Sequence, residues 1–323
     1  MSAFSQRGYA LFMANAGLMD RLLRATPAPV AGALRMVGAM GGDVARAADL
    51  LGVLDGKRPS DPLDEWDPDY VRETLPALRA LSGLYFRATI RGLENIPADG
   101  PVLLVGNHSG GTLIADTFVF GQYFYGHFGP ERRFHQLAHD LVFAIPGVRA
   151  SLARYGTVPA SPRNMERALD RGAALLVYPG GDHETYRPSW ESSKIDFAGR
   201  TGFAELAMKF GCPVVPVVAI GGQETALFLG QGRELAKTFR LDQLLRVKVL
   251  PAQVAPPFGL TVLDLPGRIP LPAKITLQVL PPLDLSERLG AEADAEDAYR
   301  LVTASMQSTL DALAAERRLP VIG

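Results

Sequence analysis

A histidine that directly follows an apolar run has the clearest chemical potential in this chain. Residues 102–105 are Val-Leu-Leu-Val, typical of a buried strand, and residues 106–111 then read Gly-Asn-His-Ser-Gly-Gly. Loops at the carboxyl ends of strands in open α/β sheets are where ligands bind. Because an imidazole exchanges protons near neutral pH, His108 indicates general-base chemistry. A histidine that only caps a helix or satisfies buried backbone groups is the alternative interpretation.

A second loop of the same kind follows a second apolar run. Residues 173–177 are Ala-Ala-Leu-Leu-Val, and residues 178–184 read Tyr-Pro-Gly-Gly-Asp-His-Glu. Two polar, glycine-rich loops at one sheet edge favour catalysis over a structural histidine. Gly180 and Gly181 let backbone N–H groups approach a bound group closely, and Glu184 adds a carboxylate.

The elements that position these loops alternate between helix and strand. The pattern predicts strands at 85–91, 102–105, 134–138, 174–177, 214–220 and 274–280. It predicts helices at 69–81, 113–125, 162–171, 202–210 and 293–317. Such alternation predicts an α/β fold with a mainly parallel sheet flanked by helices, preceded by an N-terminal helical segment.

The chain divides into four predicted parts: residues 1–55, an amphipathic helical segment; 56–84, a linker and lead-in helix; 85–290, the α/β domain; and 291–323, a C-terminal helix. In the first part, apolar side chains recur at helical spacing near three arginines. The apolar residues are Tyr9, Phe12, Met13, Ala16, Met19, Leu22 and Leu23. Such a stripe predicts either a helical layer packed on the domain or a helix lying in a membrane interface.

A proline-rich stretch from Pro251 to Pro272 predicts a long loop. Loops of this length are unusual in a compact domain unless they are functional. A lid or membrane-facing flap is one interpretation, and irregular packing is the other.

Bulk composition restricts the class of protein. The formal net charge of −1 gives no general attraction to nucleic acid. Neither a membrane-spanning apolar run nor a signal peptide is evident in the sequence. Cys212 is the only cysteine, which favours a reducing compartment. We therefore expect a cytoplasmic protein that binds no nucleic acid and is peripheral on the inner face of the membrane.

Four blocks in order resemble the glycerolipid acyltransferase superfamily, and in particular its monoacylglycerol/diacylglycerol acyltransferase-like branch. They are residues 107–111 with Asp116, residues 156–164, residues 178–184 and residues 214–218. The resemblance implies an O-acyltransferase in which His108 is the catalytic base. It also implies an acyl-CoA or acyl-carrier protein donor, a lipid alcohol acceptor, no metal and no cofactor.

The first block departs from the family pattern at the acid that pairs with the histidine. The usual aspartate position is occupied by Leu113, and the first aspartate is Asp116. We expect Asp116 to orient His108, with Asp182 and Glu184 as the other candidates.

The third block departs at the acceptor site. Gly180 stands where many relatives have glutamate, and Asp182-His183 replaces Thr-Arg. The family uses those residues on a glycerol-phosphate acceptor, so their replacement predicts an uncharged lipid alcohol. Gly180, Gly181 and Glu184 are then the expected acceptor-binding residues.

Two arginines are candidates for binding phosphate. The resemblance assigns Arg163, in the second block, to a substrate phosphate. Arg200 precedes a predicted helix, where a coenzyme A or carrier-protein phosphate would be favoured. An ordinary arginine at a helix start is the alternative for both.

In the implied reaction, His108 takes the proton of an acceptor hydroxyl, which attacks the acyl thioester. Backbone N–H groups of the glycine-rich loops would stabilise the oxyanion. A serine hydrolase is disfavoured because the chain has no Gly-x-Ser-x-Gly elbow. A non-catalytic lipid-binding or membrane-recruitment protein on the same fold is the alternative. Its best support is that Gly180 replaces the glutamate of many relatives.

Overall fold

The computed structural model describes residues 61–111, 114–143, 148–238, 249–262, 264, 268–290, 292–319 and 321–322. The expected N-terminal amphipathic segment and Leu113 lie outside these residues. Contacts divide the chain into two units, of which the larger comprises residues 58–145 and 149–323 and holds both glycine-rich loops. The predicted domain boundaries remain a prediction.

A seven-stranded sheet forms the centre of the larger unit. Its strands are β1 Thr89–Arg91, β2 Val102–Gly106, β3 Phe134–Ala138, β4 Thr157–Pro159, β5 Ala174–Val177, β6 Val214–Ile220 and β10 Thr276–Val279, in the order β1-β10-β6-β2-β5-β3-β4. Strands β6, β2, β5, β3 and β4 are parallel, whereas β10 is antiparallel to β6 and carries β1 beside it. The predicted class, an α/β fold with a mainly parallel sheet, is confirmed.

Helices cover both faces of this sheet. They are α1 Pro68–Tyr85, α2 Ala115–Phe128, α3 Asp140–Phe143, α4 Val148–Arg154, α5 Pro162–Asp170, α6 Gly181–Thr185, α7 Gly202–Phe210, α8 Arg233–Thr238, α9 Leu285–Leu289 and α10 Ala295–Glu316. The longer ones begin at side chains that cap free backbone N–H groups: Asp67 before α1, Ser161 before α5 and Asp294 before α10. None of these described helices is both long and apolar enough to cross a membrane.

Strand β2 lies between two apolar cores. Val102 and Leu104 face the core beneath α1 and α2, whereas Leu103 and Val105 face the core beneath α7 and α10. All four side chains are fully buried. A strand covered on both faces reads as an unbroken apolar run in the sequence, and that run identified β2.

A second, antiparallel sheet corrects the prediction of a long loop from Pro251 to Pro272. It consists of β7 Leu227–Gly230, β8 Ala252–Ala255 and β9 Gly259–Thr261. Three residues connect β8 to β9, and two of them are Pro256 and Pro257. The prolines that suggested a loop lie partly in this turn, where the ladder needs no N–H donor.

The predicted strand at 85–91 is also partly wrong. Helix α1 continues to Tyr85, and the backbone N–H groups of Phe86 and Ala88 both donate to the Ser82 carbonyl. Only Thr89–Arg91 pairs with β10. The aromatic residues that suggested a strand close the last helical turn.

Asn107 joins the end of β2 to β6. Its side-chain amide donates to the Ala219 carbonyl at 2.9 Å and accepts from the Ala219 N–H at 2.8 Å. Asn107 is buried, so the two bonds replace a continued ladder where β2 turns into the His108 loop.

We expect Asn107→Ala to lower the free energy of unfolding by about 1–3 kcal/mol, because two buried backbone groups lose their partners. Urea unfolding monitored by circular dichroism measures the change. Asn95→Ala is the control, since Asn95 is only half-buried and its amide makes one 3.0 Å bond to the Val279 carbonyl. Equal losses in the two variants would contradict this account of Asn107.

Candidate active site

The two glycine-rich loops leave the sheet side by side. Strands β2 and β5 are parallel neighbours, and Val105 pairs with Val177 at their carboxyl ends. His108 is half-buried, and its ring stacks on Tyr178 with centroids 4.3 Å apart and planes 22° from parallel. A Cβ at Gly106 would overlap the Tyr178 ring, so this stack requires glycine there.

Glu184 holds the two loops together. Its carboxylate is buried in α6, and Oε2 accepts the backbone N–H of His108 at 3.0 Å. The other oxygen accepts the N–H of Asp196 at 3.0 Å. A carboxylate that accepts two main-chain N–H groups fixes the path of both segments.

Gly180 is required by Glu184. A Cβ at position 180 would overlap the Glu184 side chain, including its carboxylate. The carboxylate at 184 thus occupies space beside Gly180 that a side chain at 180 would need. Although glycine replaces the glutamate that many relatives have at position 180, the Glu184 carboxylate lies beside that position.

Arg187 is a residue of the site that sequence reasoning missed. It is buried, its Nη2 donates to the His108 carbonyl at 2.8 Å, and its Nη1 lies 3.7 Å from Glu184 Oε1. Its main-chain carbonyl accepts from the Gln223 side chain. Its position three residues after Glu184 could have identified it from the sequence, because side chains at this spacing lie together on a helical turn.

Asp116 does not pair with the His108 ring as expected. It is buried at the start of α2, where Oδ2 accepts from Ser109 Oγ at 2.7 Å and Oδ1 accepts from the Thr117 N–H at 2.7 Å. Nδ1 of His108 is buried and has no partner among the described residues. The first turn of α2 thus places Asp116 against the hydroxyl of the residue that follows the histidine.

The backbone N–H groups of the first loop are largely occupied. Those of His108, Gly110 and Gly111 donate to the Glu184 carboxylate, the Gln223 side chain and the Thr185 carbonyl. They hold the loop against its neighbours. Oxyanion stabilisation by other backbone N–H groups of the two glycine-rich loops stays a prediction.

Burial shifts the charge states of all three titratable groups. Burial, assisted by Arg187, lowers the pKa of His108 to about 3, so the imidazole is neutral at physiological pH. Burial raises the pKa of Glu184 to about 7, opposed by Arg187 and the two N–H donors. Burial also raises the pKa of Asp116 to about 6, opposed by the Ser109 hydrogen bond.

A buried ion pair supports the loop from the small sheet. Arg268 Nε donates to Asp264 at 2.7 Å, and its Nη2 donates to the Gly110 carbonyl. Both side chains are almost fully buried. The connection after β9 therefore braces the His108 loop.

The two candidate arginines differ in their surroundings. The Arg200 side chain donates to the carbonyls of Pro179 and Gly180 and to Asp182, each at 2.9 Å. It therefore supports the second loop, a contact that sequence reasoning did not expect. Arg163 is exposed in the first turn of α5, and no ion pair to it is found within the described residues.

Arg163 is also distant from the histidine. It follows β4, three strands away from β2, which corresponds to about 14 Å at ordinary strand spacing. It lies at the same sheet edge as His108 without contacting it. Asp182 and His183 are in α6, where His183 Nε2 lies 3.0 Å from Asp196 Oδ2.

A cavity of about 260 Å³ opens beside Glu184 and Arg187. Its lining also includes Glu191, Lys194 and Asp196. Lys194 Nζ lies 3.4 Å from Asp196 Oδ2, so the positive charge of Lys194 is partly neutralised by a carboxylate of the same cavity wall. Three carboxyl groups against one arginine and one lysine make this a poor environment for a phosphate group.

Residues 87–220 match the family model described as Acyltransferase. The match covers 134 of the 323 residues and supports an acyltransferase domain in this stretch. It contains both glycine-rich loops and all seven predicted site residues, and the resemblance to the glycerolipid acyltransferase superfamily is confirmed.

Several proteins are similar over parts of the chain. An uncharacterized protein of Mycobacterium tuberculosis is 29% identical over 249 residues, which is 75% of this chain and 66% of that protein. Phytyl ester synthase 2 of Arabidopsis thaliana is 33% identical over 44% of this chain and 20% of its own. The human DGAT1/2-independent enzyme synthesizing storage lipids is 30% identical over 45% of this chain and 43% of its own. The chain thus spans less than two thirds of each relative.

Among solved structures, the 1-acyl-sn-glycerophosphate acyltransferase PlsC from Thermotoga maritima is 20% identical. It covers 76% of this chain and 80% of its own, with a TM-score of 0.49.

The low pKa of His108 predicts how stability depends on pH in the acyltransferase domain. An unfolded chain binds a proton on histidine below about 6.5, whereas the folded imidazole does not until about 3. The wild-type protein therefore loses stability as pH falls through this window. His108→Gln removes this loss. As pH falls through the window, the unfolding free energy of the variant should therefore rise relative to that of the wild type by up to about 1.4 kcal/mol per pH unit.

Chemical unfolding at a series of pH values measures this difference. His127→Gln serves as the matched control because His127 is exposed, and its curve should parallel wild type. A parallel curve for His108→Gln as well would show that the imidazole is not held neutral by burial.

Proposed function

We propose that this protein transfers a fatty acyl group from a thioester to the hydroxyl of a lipid alcohol, with His108 as the general base. The observation that carries the proposal is the position of His108 at the carboxyl end of β2, stacked on Tyr178 of the second loop, in a stretch that matches the Acyltransferase family model. Because burial makes this imidazole a weak base on its own, the proposal requires a carboxylate that stabilises the imidazolium as it forms.

In the proposed reaction, His108 takes the proton of the acceptor hydroxyl as its oxygen attacks the thioester carbonyl. The tetrahedral intermediate collapses, the C–S bond breaks, and the thiolate leaves. The imidazolium then gives its proton to the thiolate, so base and charge are restored. Because burial and Arg187 disfavour an imidazolium, this proton transfer is strongly driven.

Asp116 is the proposed carboxylate partner of His108. Both oxygens of Glu184 are bound to main-chain N–H groups, so that acid is committed to the loops. Asp116 Oδ2 is held by the Ser109 hydroxyl, which can rotate. Rotation would free the oxygen to stabilise the imidazolium as it forms.

The proposed acceptor is an uncharged lipid alcohol. The relatives named for phytyl ester and storage-lipid synthesis support this class. So do Asp182-His183 in place of Thr-Arg, and the three carboxyl groups of the cavity beside Glu184. Gly180 and Gly181 keep the second loop compact around Glu184 and are assigned to the acceptor side.

The proposed donor is acyl-CoA or an acyl-carrier protein. Arg163 is the proposed phosphate contact, because its exposed guanidinium lies at the His108 edge of the sheet. Arg200 would act on substrate indirectly, through the loop that it binds. Since the acceptor is a lipid, we also propose that the protein works peripherally at the inner face of the membrane.

We expect His108→Ala to lower the rate of acyl transfer by at least about 100-fold, the typical contribution of a general base. Asp116→Asn should also lower kcat strongly, with little change in acceptor KM. Thiol release from acyl-CoA in the presence of a lipid alcohol measures both.

Circular dichroism checks folding of the variants, and His127→Ala is the exposed control. A folded His108→Ala protein with ordinary turnover would remove His108 from the reaction. If Glu184→Gln is crippling while Asp116→Asn is mild, Asp116 is not the partner. A fully inactive wild type that still binds lipid would favour the non-catalytic alternative.

The acceptor proposal predicts a larger kcat/KM for a monoacylglycerol or long-chain alcohol than for lysophosphatidate. His183→Arg, which restores the arginine that relatives carry in this loop, should narrow the difference because it adds a cation beside the cavity. Parallel assays with matched acyl chains provide the comparison. A preference of the wild type for lysophosphatidate would contradict the proposal.

A further inference from the structure

The small sheet of β7, β8 and β9 turns an apolar face to solvent. Leu227 pairs with Val254, and Val254 pairs with Leu260, so these side chains form one row across the sheet. The surface, here called the apolar sheet face, comprises Leu227, Leu229, Val254, Leu260 and Val262, all exposed, with Leu260 at 67%. Contiguous exposed apolar patches of this kind mark interaction sites.

The opposite face of the same sheet is packed against the rest of the protein. Phe228 and Ala255 are buried with Tyr186 packed against them. The Phe228 ring also lies where a Cβ at Gly111 would be, so this face supports the His108 loop. An antiparallel sheet with one packed face ordinarily presents polar side chains on the other. Here the outer face carries leucine and valine side chains instead.

Trp190 lies next to this sheet. The backbone N–H of Phe228 donates to Ser189 Oγ at 2.9 Å, which joins β7 to the short helix Ser189–Glu191. The Trp190 side chain is 68% exposed. An exposed indole is costly in water but is favoured at a membrane interface, where its ring is buried and its N–H stays hydrated.

The segment that joins β7 to β8 along the chain is basic in sequence. Residues 231–251 contain five basic side chains (Arg233, Lys237, Arg240, Arg246 and Lys248) and two acidic ones (Glu234 and Asp242), a net charge of +3. The whole chain, by contrast, has a net charge of −1. A basic segment between two strands of a sheet with an apolar outer face favours an anionic lipid surface over an uncharged protein surface.

We propose that the apolar sheet face and Trp190 dock on the surface of an anionic lipid membrane. The proposal rests on the proposed function, because a lipid alcohol must reach the His108 loop from the membrane. The buried face of the docking sheet braces that loop through Phe228 and through the Arg268 bond to Gly110. Docking would therefore bring the catalytic loop to the lipid surface.

Vesicle co-sedimentation of the full chain tests the surface independently of catalysis. Vesicles of phosphatidylcholine with phosphatidylglycerol should bind the protein more strongly than phosphatidylcholine alone, and salt should weaken binding. Leu260→Glu with Val262→Glu should lower the partition by about tenfold or more, since two apolar side chains leave the interface. Met208→Glu on α7 is the matched control, because Met208 is 43% exposed on another element.

Tryptophan fluorescence reports which surface enters the lipid. The chain has two tryptophans, and Trp66 is half-buried with its indole N–H donated to the Tyr125 hydroxyl. A blue shift with anionic vesicles should persist in Trp66→Phe and disappear in Trp190→Phe. Unchanged vesicle binding of the glutamate variant would overturn the proposal. So would concentration-dependent self-association that the glutamate variant abolishes, because a second copy would then cover the face.

Transfer to a water-soluble short-chain alcohol separates the two proposals. The glutamate variant should keep this activity while it loses transfer to acceptors in vesicles. Normal vesicle binding without any transfer would contradict the proposed reaction and leave the docking surface intact.

Discussion

The site depends on a carboxylate buried between two loops. Glu184 accepts main-chain N–H groups from His108 and from Asp196, and Arg187 returns a hydrogen bond to the His108 carbonyl. A charge in this position would be costly without partners, and each partner belongs to a different stretch of chain. The loops are therefore fixed to each other as well as to the strands that carry them.

The same burial determines the chemistry of the site. It lowers the pKa of His108 and raises the pKa values of Glu184 and Asp116, so the imidazole is neutral while the two acids hold protons more tightly than usual. Most polar groups around the ring are already bonded to protein, whereas His108 Nδ1 has no partner among the described residues. That atom is where an orienting carboxylate would act.

The small sheet links the site to the protein surface. Its inner face packs against the His108 loop, and its outer face presents leucine and valine side chains. The small sheet thus supports the His108 loop on one side and, in our proposal, meets lipid on the other. The buried Arg268–Asp264 pair adds to this support through the Arg268 bond to the Gly110 carbonyl.

The sequence by itself determined most strands of the central sheet, its mainly parallel class and the two glycine-rich loops, because buried strands read as apolar runs and glycine-rich turns follow them directly. Position along the chain could not decide which side chains touch. Asp116 bonds to Ser109 and not to the ring, Arg187 enters the site, and Glu184 fills the space beside Gly180. Strand β8 was also missed, since it pairs with β7 across a connection of 21 residues. Such long-range contacts arise only when packing brings the segments together, so only the tertiary structure decided them.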